Sequence, residues 1–214
     1  METQTQNNTS KGKFIVFEGI DGSGKSTQLQ LLLQKLREKK INYYETREPT
    51  DSPIGSMIHQ IMTGRITTDN KVIAALFVAD RLDHLLNKTD GICEKINAGT
   101  TVISDRYYFS SYAYHSVDMD MDWVIQANSI CADLLKPTCT VFIDTDPDEA
   151  MRRISNGRSK SELFETRERL ILVREKYLEA INKQSESETV IIVNGNNDFH
   201  QVADDIWQKL HSYF

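Results

Sequence analysis

The sequence predicts an α/β fold in which a central parallel sheet of about five strands carries helices on both faces. Three observations lead there: short apolar runs recur along the chain, longer segments with helical spacing separate them, and no linker rich in proline, glycine or serine divides the whole. With 214 residues, ten glycines and four prolines, one domain is expected.

The elements follow in order. Met1 to Gly12 is polar, has nothing with which to form a core, and is expected to be a mobile tail; residues 13–214 then form the folded domain. Phe14-Ile-Val-Phe17 is apolar throughout and reads as a strand buried on both faces. Leu29, Leu32, Leu33 and Leu36 lie on one face of the helix after it, and Asn42-Tyr-Tyr-Glu45 is a weaker strand. Val72, Ala75, Leu76, Ala79 and Leu82 mark a second helix. Thr101-Val-Ile-Ser104, Thr140-Val-Phe-Ile143 and Val190-Ile-Ile-Val193 are the remaining strands. Leu163 to Ile181 carries the alternating charge of a solvated helix. Ser155-Asn-Gly157, set among Arg152, Arg153, Arg158 and Lys160, is a turn signal that predicts an excursion between two helices.

Composition narrows the function. At 39% hydrophobic and 26% charged residues, the chain is an ordinary globular protein. A net charge of −6 argues against a broad nucleic-acid surface. The longest apolar run, Val72 to Ala79, is too short for a bilayer and METQTQNNTS has no hydrophobic leader, so a cytoplasmic protein is expected. Cys93, Cys131 and Cys139 form no C-x-x-C pair and read as reduced thiols.

The chemistry begins at Gly19-Ile-Asp-Gly-Ser-Gly-Lys-Ser26, which fits G-x-x-x-x-G-K-[ST] between the first strand and the leucine-striped helix. Such a loop turns backbone N–H groups inward and adds a helix N-terminus, so the backbone itself holds polyphosphate. Gly19, Ile20, Asp21, Gly22, Ser23, Gly24, Lys25, Ser26 and Thr27 are therefore expected around ATP, with Lys25 on the β and γ phosphates and Ser26 on Mg2+. Asp105 ends an apolar strand, the place for a carboxylate that reaches Mg2+ through water. Arg47 and Arg106 each follow a strand, at the sheet edge where parallel-sheet proteins bind ligands. Asn87-Lys-Thr-Asp90 imitates a guanine-reading motif, but it ends a helical stretch and the only D-x-x-G lies inside the loop, so a GTP switch is disfavoured. A kinase of a small substrate fits better.

Phe17-Glu-Gly-Ile-Asp-Gly-Ser-Gly-Lys-Ser-Thr27, Arg47-Glu-Pro49, Leu76-Phe-Val-Ala-Asp-Arg81 and Asp105-Arg-Tyr-Tyr-Phe-Ser-Ser-Tyr-Ala-Tyr114 stand in the order and spacing of thymidylate kinases, and the chain resembles that family from about Lys13 onward. The resemblance implies the three-layer nucleoside-monophosphate-kinase fold with a short lid at about 152–165, transfer of phosphate from ATP to dTMP, Mg2+ as cofactor and a homodimer. It implies that Phe77 stacks on thymine and Arg81 donates to its O4, with a core role for Phe77 as the other reading. Arg47 and Arg106 become the clamp on the dTMP phosphate, Asp21 the acceptor of the 3′-OH, Ser110 and Ser111 the polar residues under the base. Tyr114 either fills the space of a ribose 2′-OH or packs helices. Because Gly22 stands where some members carry arginine, the transition-state cation is expected from the lid, with Arg158 first and Arg152 or Arg153 at adenine. Catalysis thus falls to Lys25, Asp105, Arg106 and Arg158. The rival readings are a deoxynucleoside kinase and a non-catalytic nucleotide-binding regulator.

Overall fold

The computed structural model describes residues 11–157 and 166–214. In chain order the elements are β1 (Phe14–Glu18), α1 (Lys25–Glu38), β2 (Tyr43–Arg47), α2 (Pro53–Met62), α3 (Asn70–Leu86), α4 (Ile92–Asn97), β3 (Thr101–Asp105), α5 (Tyr108–His115), α6 (Met121–Ala127), α7 (Ser129–Leu134), β4 (Cys139–Asp144), α8 (Pro147–Gly157), α9 (Arg167–Lys183), β5 (Val190–Asn194) and α10 (Phe199–Leu210). The five strands form one parallel sheet in the order β2-β3-β1-β4-β5.

Alternation along β1 divides the interior in two. Phe14 and Val16 face a core shared with α4, α5 and α9, whereas Ile15 and Phe17 face a core built from the leucines of α1 and from Val202, Ile206 and Leu210 of α10. The expected three-layer α/β fold is present. Cys93, Cys131 and Cys139 are all unpaired; the last two are buried and Cys93 is half-buried.

Several boundaries differ from the sequence reading, each for a physical reason. Gly12 is tied to the fold rather than to the expected tail, whose first ten residues lie outside the described ones: its N–H donates to Ile96 O at 2.9 Å and the Lys13 carbonyl accepts from Val102 N–H at 2.7 Å. β2 continues to Arg47, so Arg47 ends the strand instead of following it; as the edge strand β2 is only half-buried, which is why its apolar signal is weak. Ser155-Asn-Gly157 does not turn. It continues α8, with the Ser155 hydroxyl donating to Met151 O one turn back at 2.9 Å. α9 starts at Arg167, capped by the Thr166 hydroxyl, rather than at Leu163, which with Arg158 and Lys160 lies outside the described residues.

Strand register fixes the site. Phe17 of β1 and Arg47 of β2 both pair with Asp105 of β3, so three strands end level at one edge of the sheet.

Candidate active site

The glycine-rich loop leaves β1 and enters α1 through three residues at positive φ: Gly19 at 150°, Gly22 at 77° and Gly24 at 93°. Gly24 is the left-handed N-cap of α1, a conformation that only glycine adopts cheaply. Gly22 is also a close approach, since a Cβ there would stand 2.4 Å from the Ala150 carbonyl oxygen of α8. Lys25 is buried and its Nζ donates to Ile20 O at 2.9 Å. Burial first, then the nearby Arg106 charge, lower its pKa to about 8. The Ser26 hydroxyl donates to Asp105 Oδ2 at 2.8 Å, and Asp105 Oδ1 is buried with no hydrogen-bond partner among the described residues. A hydroxyl and a carboxylate with a spare oxygen suit a hard cation that takes its other ligands from water and phosphate. No group of three or more acidic, histidine or cysteine ligands occurs among the described residues, so Mg2+ would need the nucleotide to complete its shell.

Beside the loop lies a cavity of about 140 Å³ walled by Phe77, Ser110, Ser111, Tyr114, His115 and Met62, which opens into the cleft of about 690 Å³ over the loop. Asp21, Pro49, His59 and Arg106 line both spaces. Arg106 stands at φ 76°, a left-handed backbone unusual for a side chain this size. Its Nη1 donates to Gly19 O (3.3 Å), Ser110 Oγ (3.0 Å) and the Tyr177 hydroxyl (3.3 Å), while its Nη2 pairs with Asp21. Tyr114 donates to Asp21 Oδ2 at 2.8 Å and lies under the Arg106 guanidinium, 5.0 Å from it. Phe77 packs against His115 with the rings tilted by 57° and their centroids 5.2 Å apart. His115 is held neutral, its pKa lowered to about 3 by burial and by Arg81 and Arg169.

Glu18, the last residue of β1, is wholly buried beneath Arg106. Its Oε1 accepts the backbone N–H groups of Tyr107 (2.8 Å) and Ser110 (3.1 Å), and its Oε2 accepts the hydroxyls of Ser110 (2.6 Å) and Tyr177 (2.9 Å). Burial raises its pKa against the opposing pull of Arg106 and these donors.

Other predicted residues are placed differently. Arg81 does not face the 140 Å³ cavity: it is 1% exposed, bound to Glu48 through Nε (2.8 Å) and Nη2 (2.7 Å), and its Nη1 donates to Ser111 (3.0 Å) and Asn128. It stands behind Ser111, drawn inward by the buried Glu48 carboxylate. Arg47 lines the loop cleft but not the smaller cavity, and its exposed guanidinium is paired with Asp51 at 2.9 Å. Arg153 ties the loop to the β5–α10 turn, donating to Ser23 O (3.2 Å) and Gly195 O (2.9 Å). Arg152 is exposed and bound to Glu149 at 2.7 Å. Both arginines, with Thr27, line a further cleft of about 390 Å³. Asn87, of the N-K-x-D sequence, accepts from Thr89 N–H at 2.9 Å in a turn at the end of α3, which is helix termination and not guanine reading.

A family profile described as thymidylate kinase matches residues 17–206, most of the chain and all of the loop, cavity and clefts above. The chain belongs to the thymidylate kinase family. Among its relatives, a thymidylate kinase of Ligilactobacillus salivarius is 33% identical over 95% of this chain and 99% of its own. A probable thymidylate kinase of Pyrococcus horikoshii is 35% identical over 89% and 93%, and one of Thermococcus gammatolerans 37% identical over 91% and 94%.

For a thymidylate kinase read from sequence, the cavity residues missed were Pro49, His59, Met62 and His115, with Glu18 and Tyr177 beneath them. His59 and Met62 sit on α2, whose start was legible in Ser52-Pro53, an N-cap followed by proline at the first helical position. Nothing local marks Glu18 or Tyr177, whose partners lie up to 159 positions away.

Proposed function

We propose that the chain phosphorylates dTMP, transferring the γ-phosphoryl group of ATP to give dTDP and ADP. Its family membership supports the activity, and one observation carries the assignment of the site: a small, largely apolar cavity adjoins the phosphate loop, with Arg106 and Asp21 on the boundary between the two. The cavity is the place for the base, its boundary the place for the deoxyribose and acceptor phosphate, and the 390 Å³ cleft the place for adenosine.

The acceptor is an ionised phosphate at neutral pH, so the reaction needs no general base. What it needs is alignment of two anions and neutralisation of their charge. The loop N–H groups orient the donor phosphates, Lys25 meets their charge, and Arg106 with Arg47 holds the acceptor. For Arg47 this means leaving Asp51, a change that its exposure makes easy. Ser26 and Asp105 would hold Mg2+, which would supply charge neutralisation at the phosphate oxygens. Arg158, outside the described residues, is retained as the lid cation. Phe77 and Tyr114 bound the base and sugar, while Arg81 acts through Ser111 unless it leaves Glu48. With ATP as donor the cytoplasm is the implied compartment. Exposed apolar side chains on α3, α6 and α7, among them Val72, Trp123 and Ile130, support a homodimer.

A coupled assay of ADP release with dTMP, dUMP, UMP and dGMP side by side tests the reading. Release that requires dTMP and falls sharply with UMP and dGMP is the expected result. Acceptor-independent release, or activity on thymidine in place of dTMP, would overturn it.

A further inference from the structure

Arg106 owes its position to more than its own strand. Its side chain reaches the boundary of the acceptor cavity from a left-handed backbone, and α5, which follows at once, has no side-chain cap of its own at Tyr107. The missing cap comes from another element. Glu18 Oε1, at the end of β1, takes the Tyr107 and Ser110 N–H groups that open α5. Its other oxygen faces two hydroxyls, Ser110 and Tyr177, which are themselves 2.9 Å apart.

Counting protons fixes the direction of these bonds. Each hydroxyl has one hydrogen, Glu18 Oε2 can only accept when ionised, and Arg106 Nη1 can only donate. With Glu18 ionised, the Ser110 and Tyr177 hydroxyls give their hydrogens to its Oε2 (2.6 and 2.9 Å), with Gly19 O a longer second acceptor for Tyr177 at 3.4 Å, and both accept from Arg106 Nη1. The cation and the buried carboxylate are joined through two hydroxyls, all pointing one way. Tyr177 comes from α9, the helix that follows residues 158–165, and its oxygen also lies 3.4 Å from Gly19 O of the phosphate loop.

We infer that Glu18 and Tyr177 are positioning residues for the acceptor clamp: Glu18 fixes the start of α5 and the polarity of the hydroxyl pair, and Tyr177 supplies one of the acceptors, beside Ser110, Gly19 O and Asp21, that hold the Arg106 guanidinium at the cavity boundary. The inference rests on the reading of Arg106 as a dTMP-phosphate ligand. It predicts an effect concentrated on the acceptor side, because neither residue lines the 390 Å³ cleft and Tyr177 meets the phosphate loop only at the Gly19 carbonyl, 3.4 Å away.

Tyr177→Phe is the decisive variant, since it removes one oxygen and leaves the ring that packs on Phe142 at 5.0 Å. Steady-state ADP release would be measured with dTMP varied at saturating ATP and with ATP varied at saturating dTMP, alongside thermal melting. The expected result is a rise of about tenfold in KM for dTMP, from the loss of one hydrogen bond to a charged group, with KM for ATP unchanged. Glu18→Gln reverses the polarity of the pair and is expected to have the larger effect, and adding Tyr177→Phe to it should cost less than in the wild type. A Tyr177→Phe variant with lower melting temperature but wild-type KM and kcat would make the role structural and overturn the inference; so would an equal rise in both KM values. If Glu18→Gln does not fold, Tyr177→Phe alone decides. Wild-type ADP release that ignores dTMP would instead overturn the reading of the site, and the inference with it.

Discussion

The Ser26 hydroxyl, in the first turn of α1, donates to Asp105 Oδ2 at the end of β3 at 2.8 Å, so the helix start and the strand end that carry the proposed cation ligands are joined before any cation arrives. The bond orients the carboxylate and leaves Oδ1 available.

Asp105→Asn should therefore weaken Mg2+ by on the order of a hundredfold or less, the range for a residue that orients or reaches a metal through water. Titrating Mg2+ at fixed ATP checks this through the half-saturating concentration. An unchanged Mg2+ requirement would remove Asp105 from the metal site.

Lys25 links activity and stability to pH with opposite signs. With a folded pKa of about 8 against an ordinary 10.5, the free enzyme loses this charge above pH 8, so kcat/KM for ATP should fall as pH rises through that value. Between about pH 8 and 10.5 the unfolded chain binds the extra proton, so this group's contribution to stability becomes more favourable as pH rises there. Rate profiles and denaturation midpoints measured over the same buffers would separate the two trends, and Lys25→Met should flatten the stability one.

His115 makes the protein sensitive to acid. Its folded pKa of about 3 lies below the ordinary 6.5, so the ring stays neutral when folded and takes a proton when unfolded. Stability should decline as pH falls below 6.5 toward 3. His115→Gln should reduce that slope in melting curves recorded without nucleotide; an identical slope would place the sensitivity elsewhere.

The Arg81–Glu48 pair, at 1% and 2% side-chain exposure, predicts a large effect from a small change. Glu48→Gln leaves the Arg81 charge buried without its counter-ion and should cost about 3–5 kcal/mol in chemical denaturation. Replacing both residues with neutral ones should cost less than the sum. Additive losses would mean that the two do not act as a pair.

What could be read in advance follows from distance along the chain. The loop of Gly19 to Ser26 was legible because its ligands are consecutive and its flanking strand and helix are local patterns, and Asp105 because it ends an apolar run. Arg81 stood out as a candidate, but its placement was not legible: whether an arginine on a helix faces a cavity or turns inward depends on Glu48, 33 positions earlier, and on Asn128, 47 positions later. β2 was faint because an edge strand needs few apolar residues. The Ser155-Asn-Gly157 sequence has turn-forming side chains, yet the Ser155 hydroxyl is satisfied by the preceding helical turn, and α8 continues.

The Ala150 carbonyl, 2.4 Å from where a Cβ of Gly22 would be, packs two walls of the nucleotide cleft against one another. Any side chain at position 22 must push α8 aside, and α8 carries Arg153, which bridges Ser23 and Gly195. Loop, helix and the β5–α10 turn can therefore change only as a set. A cation cannot be moved onto the loop by a single substitution without loosening the wall against which adenosine would rest.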